Sequence, residues 1–480
     1  MNDSDACPPT AQRWILATLS LAMLMPSLDT SIANAGLPTL ARAFGATFPH
    51  VQWVVLAYLL AITAAIVSAG RLGDLLGRGR LLVAGIALFT LASLACGLAP
   101  TLALLIAARA LQGLGAAVML ALTMALVNET MPRERTGSAM GLLGTMSAIG
   151  TTLGPSLGGV LMAGLGWRAI FLVNVPLGAV NLLLAYRWLP RPRPGAAAAR
   201  PRFDIPGTVL LASTLAAYAL AMTSHRYALL AAAAAGAALF VLVEARSAAP
   251  LVRLAMLRDP ALVASLATSA LVATVIMTTL VVGPFYLSRA LGLPAAIVGL
   301  VLSAGPLVSA LTGAPAGRLV DRLGAARMGF AGLLGMLAGA GALASVPARF
   351  GIAGYVGSVV VMTAGYATFQ AANNTALMSR VDAAQRGVAS GMLSLSRNLG
   401  LITGAAAMGA VFAAATGPAA SDPAAVALGL HATFAVGSVL IALALAVAAG
   451  ARVLVRRQAT HARRGRALST PASSAGTGSR

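Results

Sequence analysis

Long apolar runs alternate with short polar segments along the whole chain. Apolar residues within the runs are contiguous and do not alternate with polar ones, which favours buried helices over strands. In lipid, every backbone N–H and C=O needs an internal partner, and helices satisfy this requirement. At roughly 20 apolar residues per crossing, the pattern predicts an all-α polytopic membrane protein of about fourteen transmembrane helices. Predicted spans are 13–36, 50–70, 80–99, 101–128, 136–166, 168–189, 205–223, 226–245, 259–290, 295–315, 328–346, 350–379, 388–415 and 424–454.

Composition and charge agree with a membrane location. The 480 residues are 59% hydrophobic and 9% charged, and the net charge is +21. All 33 basic residues are arginine, and 26 of them fall on one side when the N-terminus is placed in the cytoplasm. This asymmetry follows the positive-inside rule. We therefore expect both termini in the cytoplasm and contact of basic segments with membrane lipids, and no nucleic-acid partner.

The chain contains an internal repeat. "GRLGDLLGRGR" at 70–80 aligns with "GRLVDRLGAAR" at 317–327, and "GSAMGLLG" from residue 137 aligns with "GVASGMLS" from residue 387. Two related halves, parallel about an axis normal to the membrane, place a binding site between them. The predicted organisation is a cytoplasmic N-terminus at 1–12, a six-helix half at 13–189, a cytoplasmic linker at 190–204, an inserted helix pair at 205–245, a second linker at 246–258, a six-helix half at 259–454 and a basic cytoplasmic tail at 455–480.

Several motifs resemble those of one transporter family. The repeated loop resembles the signature between the second and third spans of the major facilitator superfamily, and "LLIAARALQGLGAA" and "GTTLGPSLGG" resemble its fourth-span and fifth-span motifs. "LDTSIANAGLP", "QWVVLAYLL" and "WRAIFLVNVPLG" resemble the fourteen-span drug:proton antiporter branch. Leu75 and Ser288 depart from the pattern, which commonly has arginine and glutamine there. The resemblance implies the major facilitator fold, with two six-helix halves and two extra central helices.

A glycine stripe with one proline marks the fifth predicted span. The stripe comprises Gly150, Gly154, Pro155, Gly158 and Gly159. Small residues let helix backbones approach closely in lipid, so one interpretation is a tight helix pair. The second half keeps three glycines but has Ala405 where the first has Pro155. A kink confined to one half predicts a hinge for alternating access, and the resemblance implies that this motif accompanies antiport.

The repeated loop predicts a cytoplasmic gate, as the resemblance also implies. Its residues are Gly70, Asp74, Gly77 and Arg78 in the first copy and Arg318, Asp321 and Arg322 in the second. A solvated charged turn is the alternative, because exposed ion pairs contribute only about 0–1 kcal/mol.

Asp29 is the one acidic residue predicted deep within a span, and Arg109 lies at a similar depth in the fourth. An ionisable residue inside the membrane is a functional candidate by default. Ser27, Ser31 and Asn34 share one helix face with Asp29 nearly opposite, so a cavity-lining polar face would turn Asp29 toward the fourth span. We expect Asp29 and Arg109 to pair and to couple the proton, with Glu129 as the next candidate acid.

Polar and aromatic residues within the spans predict a substrate cavity. They are Asn34, Trp53, Tyr58, Gln112, Gln370, Asn373 and Asn374. For Gln370, Asn373 and Asn374, hydrogen bonding between helices is an equally good interpretation.

No enzyme is predicted, because the four histidines are scattered and there is no phosphate-binding glycine loop with its lysine. No metal or cofactor is expected, and the proton serves as the coupling ion. The predicted function is proton-coupled export of small lipophilic or amphipathic compounds, such as drugs and antibiotics, from the bacterial inner membrane by a monomer. Alternatives are a dedicated exporter of one metabolite or antibiotic, a symporter, or a transport-dead membrane scaffold or sensor.

Overall fold

The structure, a computed structural model, describes residues 9–131, 133–189, 205–224, 226, 228–246, 254–345, 350–381, 386–417 and 422–469. The predicted linker at 190–204 lies outside the described residues, as do most of the second linker and the two ends of the chain. So does the Asp74 side chain, although its backbone is described. Within the described residues, fourteen helices are long and apolar enough to cross a membrane, which confirms the predicted all-α, fourteen-span architecture.

The helices are numbered here by span, and some spans contain a break or a wider turn. They are span 1, Pro9–Ala43; span 2, Trp53–Leu76, after a turn at Phe48–Val51; span 3, Arg78–Leu98; span 4, Leu102–Thr130; span 5, Arg133–Leu165; span 6, Asn174–Trp188, after a turn at Ala169–Leu172; span 7, Ile205–Ser224; span 8, Ala228–Arg246; span 9, Pro260–Phe285, continued by a π-helical turn at Tyr286–Ala290; span 10, Ala295–Leu302 and Ala304–Leu323; span 11, Ala325–Ser345; span 12, Gly351–Met378; span 13, Arg386–Thr403, a π-helical turn at Gly404–Met408 and Gly409–Thr416; and span 14, Pro423–Ser469. A short 3₁₀ helix at Leu254–Arg258 precedes span 9.

Helix packing repeats between the two sets of six spans. Span 1 packs on span 5 as span 9 packs on span 13, and spans 2 and 3 pack on span 4 as spans 10 and 11 pack on span 12. Spans 3 and 6 pair in the same way as spans 11 and 14. The duplicated sequence therefore produces a duplicated arrangement of helices.

Spans 7 and 8 form a separate pair that packs against both halves. Span 7 contacts span 2, where the indole N–H of Trp53 donates to the Thr223 hydroxyl at 3.1 Å and the hydroxyls of Ser68 and Thr208 lie 2.6 Å apart. It also contacts the π-helical turn of span 13. The inserted pair thus lies across the seam between the halves.

Glycines allow the closest helix approaches in each half. A Cβ added at Gly150 would lie 2.7 Å from the Leu24 carbonyl oxygen, and one added at Gly400 would collide with the carbonyl oxygen of Ala270. These contacts join span 5 to span 1 and span 13 to span 9. Because lipid supplies no hydrophobic force between helices, such approaches supply dispersion contacts that larger residues would prevent.

We predict that Gly150→Ala destabilises the protein by about 1–3 kcal/mol, because the new methyl group forces spans 1 and 5 apart. Gly144→Ala on the same helix is the matched control, since no atom of the described residues lies within 4 Å of a Cβ at that position. Thermal unfolding of the detergent-solubilised protein measures both. Equal melting temperatures for the two variants would show that this approach is not required for packing.

Candidate functional site

A buried ion pair joins span 1 to span 4. Arg109 Nη1 donates to Asp29 Oδ2 at 2.5 Å, and each side chain is only 1% exposed. An isolated charge near the bilayer centre costs about 2.5–3.5 kcal/mol on insertion scales. Pairing offsets part of this cost, and the remaining hydrogen-bonding groups need partners of their own.

Neutral side chains complete the coordination of both charges. Gln112 Nε2 and Asn174 Nδ2 each donate to Asp29 Oδ1 at 2.8 Å, so the carboxylate receives donors from spans 4 and 6. Arg109 donates to the Gln112 side-chain oxygen at 2.6 Å and to the Val54 carbonyl at 3.0 Å, which brings in span 2. Ser93, on span 3, accepts from Gln112 Nε2 through its hydroxyl oxygen at 2.9 Å. Side chains or carbonyls from five spans therefore meet at this cluster.

Aromatic rings close the cluster from solvent. The Arg109 guanidinium carbon lies 4.1 Å from the centroid of the Tyr58 ring and 5.8 Å from that of Phe171. A guanidinium over an aromatic face gains about 0.5–2 kcal/mol, with the larger values at desolvated sites. The tyrosine and Gln112, which the sequence places in a substrate cavity, are fully buried and belong to this cluster.

The opposite face of span 1 packs against span 5, where the sequence suggests a cavity. Ser27 shares a 2.7 Å hydrogen bond with Ser147, and Ser31 donates to the Thr151 carbonyl at 2.8 Å. The interpretation of this polar face as cavity lining is therefore wrong for the two serines, although Asp29 does face span 4. Asn34 is 1% exposed, and neither its amide nitrogen nor its amide oxygen has a hydrogen-bond partner among the described residues.

Pro155 explains the hydrogen bond from Ser31. Proline has no N–H, so the Thr151 carbonyl four residues earlier loses its intrahelical donor. The Ser31 hydroxyl supplies the missing donor. On the other side of the proline, the Ser156 N–H donates to the Ser303 hydroxyl of span 10 at 3.1 Å. One proline thereby links span 5 to span 1 and to the opposite half.

The second half is irregular at the corresponding position, which corrects the prediction of a kink in one half alone. The π-helical turn at Gly404–Met408 includes Ala405, the counterpart of Pro155. A π-helical turn also disturbs the regular hydrogen-bond ladder. Gly159 and its counterpart Gly409 each face the other half. A Cβ added at Gly159 would approach Ala295 of span 10, and one added at Gly409 would approach Gln52, which lies just before span 2.

The two signature loops have the same backbone conformation. Gly77 and Gly324 end spans 2 and 10 with φ of 91° and 87°, values that favour glycine. Arg78 Nη1 lies 3.4 Å from Glu129 Oε2 at the end of span 4. Arg318, Asp321 and Arg322 are exposed, and Asp321 forms no ion pair with any described residue. No described atom lies within 4 Å of a Cβ added at Gly70. The end of the helix bundle that carries these two loops is called the signature end, and the opposite end is called the far end.

A cavity of about 290 Å³ lies in the second half, between spans 9, 12 and 13. Gln370, Asn373 and Asn374 line it, and Asn373 also bonds to Ser265 of span 9, accepting from its hydroxyl at 2.7 Å. Asn373 thus joins two helices at the edge of the cavity, whereas Gln370 and Asn374 line it without a hydrogen bond to any described residue, and their role in substrate binding stays a prediction. The lining includes Met378, the last residue of span 12, so the cavity extends toward the signature end.

Aromatic contacts join the halves at the far end. There the Phe48 ring packs against Phe285 and Phe412 of the second half, with centroids 4.8 and 5.1 Å apart. Trp53, predicted to line the substrate cavity, donates to Thr223 of span 7. Asn374, which lines the cavity, is exposed, and it lies nearer the signature end than these aromatic contacts do.

A sequence profile described as the Major Facilitator Superfamily matches residues 19–405. The chain belongs to this superfamily. Its members are transporters, so the chain is a multi-pass membrane transporter and not an enzyme. The family predicted from the motifs is confirmed.

Similar proteins share most of the transporter's length. It is 33% identical over 83% of its length to "Uncharacterized transporter YebQ" of Escherichia coli, covering 89% of that protein. It is 34% identical over 84% of its length to "Multidrug resistance protein Stp" of Mycobacterium tuberculosis, covering 76% of that protein. A bacterial homologue of the human lysosomal transporter Spinster, in an inward-facing and occupied conformation, has the same fold with a TM-score of 0.71 at 16% identity, over 93% of this chain and 98% of that one.

Sequence reasoning assigned no role to three polar residues of the sites described. Asn174 donates to Asp29, and Ser93 supports Gln112, but both are single polar residues in apolar segments. Arg397 lines the cavity of the second half. Its signal is an arginine inside a predicted span, the same signal that singles out Arg109.

We predict that Arg109→Gln destabilises the transporter by about 3–5 kcal/mol, because it leaves the Asp29 carboxylate buried without its cation. The double variant Asp29→Asn, Arg109→Gln should recover much of this loss, since it buries two neutral groups. Melting temperature and yield of the solubilised protein measure both effects. A double variant no more stable than Arg109→Gln would contradict a direct pairing.

Proposed function

We propose that this transporter exports small lipophilic or amphipathic compounds from the bacterial cytoplasm in exchange for protons, with Asp29 carrying the proton. One observation carries the proposal: a carboxylate enclosed within the membrane-spanning region, held by a guanidinium and two amides from neighbouring helices. The inner membrane, with both termini in the cytoplasm, is the location that fits the arginine distribution. Monomeric function remains part of the proposal.

Helix movement provides the coupling. Separation of span 4 from span 1 would leave the Asp29 carboxylate in a low-dielectric site without Arg109, at a cost of about 3–5 kcal/mol. Uptake of a proton by Asp29 removes that cost, because a neutral acid needs no counter-ion. Return of Arg109 then favours release of the proton. Proton binding and the relative position of these helices are in this way mutually dependent.

Alternating access uses the contacts between the halves. The far end is closed by the Phe48 cluster and by the close approach of spans 5 and 10, and the cavity reaches toward the signature end. With the signature end in the cytoplasm, this arrangement suits substrate entry from inside. Gly150, Gly154, Pro155, Gly158 and Gly159 form the hinge in this scheme, and the two signature loops form the gate that closes during export.

Names of relatives leave the breadth of specificity open. One is named a multidrug resistance protein, and another, 29% identical, is named "Riboflavin transporter RibZ" of Clostridioides difficile. A dedicated exporter of one metabolite is therefore the second candidate. A transport-dead scaffold is less well supported, since such a protein would have no need for an enclosed ion pair.

We predict that Asp29→Asn abolishes transport driven by a proton gradient but retains substrate counterflow, because asparagine mimics the protonated acid and cannot release a proton. Asp29→Glu should retain part of the activity with a shifted pH optimum. Uptake of a dye panel into inverted vesicles, with and without a pH gradient, measures both.

Asp422→Asn is the matched control for this experiment. Asp422 is exposed and caps span 14, where its carboxylate accepts from the Ala424 N–H at 3.2 Å. The same change there should leave the gradient dependence intact. Full gradient-driven efflux by Asp29→Asn would refute the proposed role and direct attention to Glu129.

We predict that Pro155→Ala leaves expression intact but slows gradient-driven transport. Alanine restores an N–H to span 5, which can take the Thr151 carbonyl from Ser31 and straighten the helix. Ser31→Ala removes the same interhelical hydrogen bond without restoring the N–H, and it serves as the comparison. Transport at the wild-type rate in Pro155→Ala would reduce this segment to a packing element.

A further inference from the structure

Arg397 places a cation inside the membrane region of the second half. It lies eleven residues after the start of span 13 at Arg386, about 16 Å along the helix axis. Its side chain is exposed to the cavity and forms no hydrogen bond or ion pair with the described residues. A cation at this depth is expected to face water or a partner that binds there.

The other lining residues complement a bound anion. Gln370 and Asn374 carry amide groups that make no hydrogen bond within the described part of the chain, so their N–H groups are available. Tyr366 and Phe369 add aromatic surface, and no acidic residue is among the described residues that line this cavity. The combination of one arginine, free amide donors and aromatic rings suits a flat molecule with an oxyanion at one end.

The internal repeat shows that Arg397 is not half of a duplicated structural pair. Its counterpart in the first half is Ser147, which bonds to Ser27. Gly154 packs against Ser31 in the first half, and its counterpart Gly404 packs against Met277 in the second. Aligning Ser31 with Met277 places Val275 at the position of Asp29. The second half therefore has no acid at the position of Asp29, and Val275 is itself fully buried.

Asp29 is not available to balance the charge of a cationic substrate. Both of its oxygens already accept hydrogen bonds, and its side chain is 1% exposed. A cation entering the second-half cavity would meet Arg397, the one charged side chain among the described lining residues. The charge of this cavity thus favours anions.

We propose that Arg397 binds the carboxylate, or a similar delocalised oxyanion, of an amphipathic aromatic substrate, with Gln370 and Asn374 as further donors and with Tyr366 and Phe369 against its ring. This assignment rests on the proposed transport function and narrows its substrate class to organic anions. At about 290 Å³ the cavity has room for a small fused-ring acid or for the acidic end of a larger compound.

The test measures binding of three matched probes to the full-length protein in lipid nanodiscs by calorimetry. The probes are 2-naphthoate, its methyl ester and 2-naphthylmethylammonium, which share a ring system and differ in charge. Wild type should bind the acid at least about tenfold more tightly than the ester, as expected for charge-assisted hydrogen bonds. It should bind the ammonium compound most weakly.

Two variants and one control assign the preference to Arg397. R397Q should reduce naphthoate affinity about tenfold or more and leave ester affinity nearly unchanged, and R397K should retain part of the preference. R246Q, which removes an exposed arginine at the end of span 8, should match wild type. Tighter binding of the ammonium compound than of the acid, or equal loss of acid and ester in R397Q, would overturn the assignment.

These measurements need no proton gradient, so they are independent of the role of Asp29. Loss of coupling in the vesicle experiment would leave a preference for the acid intact. Loss of that preference here would leave gradient-driven transport by wild type unaffected.

Discussion

The enclosed contact between Asp29 and Arg109 organises the first half of this transporter. Neither charge can remain alone in a low-dielectric interior, so each must be surrounded by groups that satisfy its remaining hydrogen-bonding capacity. Gln112, Asn174 and the Val54 carbonyl provide those groups. Because these partners come from different spans, meeting the needs of one carboxylate fixes the relative positions of several helices.

Span 1 links this cluster to the boundary between the halves. One face carries Asp29, and the other carries Ser31, which satisfies the carbonyl that Pro155 leaves free. The N–H after that proline reaches Ser303 in the second half. The cluster, the hinge segment and the inter-half contact are therefore joined through two helices, and a change at one has a physical route to the others.

The two halves share their packing but not their polar chemistry. Close backbone approach depends on small residues, and the glycines that provide it recur in both halves, as Gly150 and Gly400 do. The buried cluster does not recur. When Gly115 is aligned with Gly365, the position of Arg109 is taken by Val359 and that of Gln112 by Met362. The first half thus holds an enclosed ion pair, whereas the second holds a cavity with Arg397.

Sequence alone determined the number of spans, the repeat, the family and the depth of Asp29 and Arg109, because each depends on local composition or on periodicity along one helix. It also placed Asp29 opposite Ser27 and Ser31. Only the tertiary structure decided which helix each face meets: the serines pack on span 5 rather than line a cavity. The same holds for Asn174, whose amide reaches Asp29 across 145 residues of chain. Contacts between helices depend on their relative rotation and on the packing of every neighbour, and no single segment of sequence specifies these.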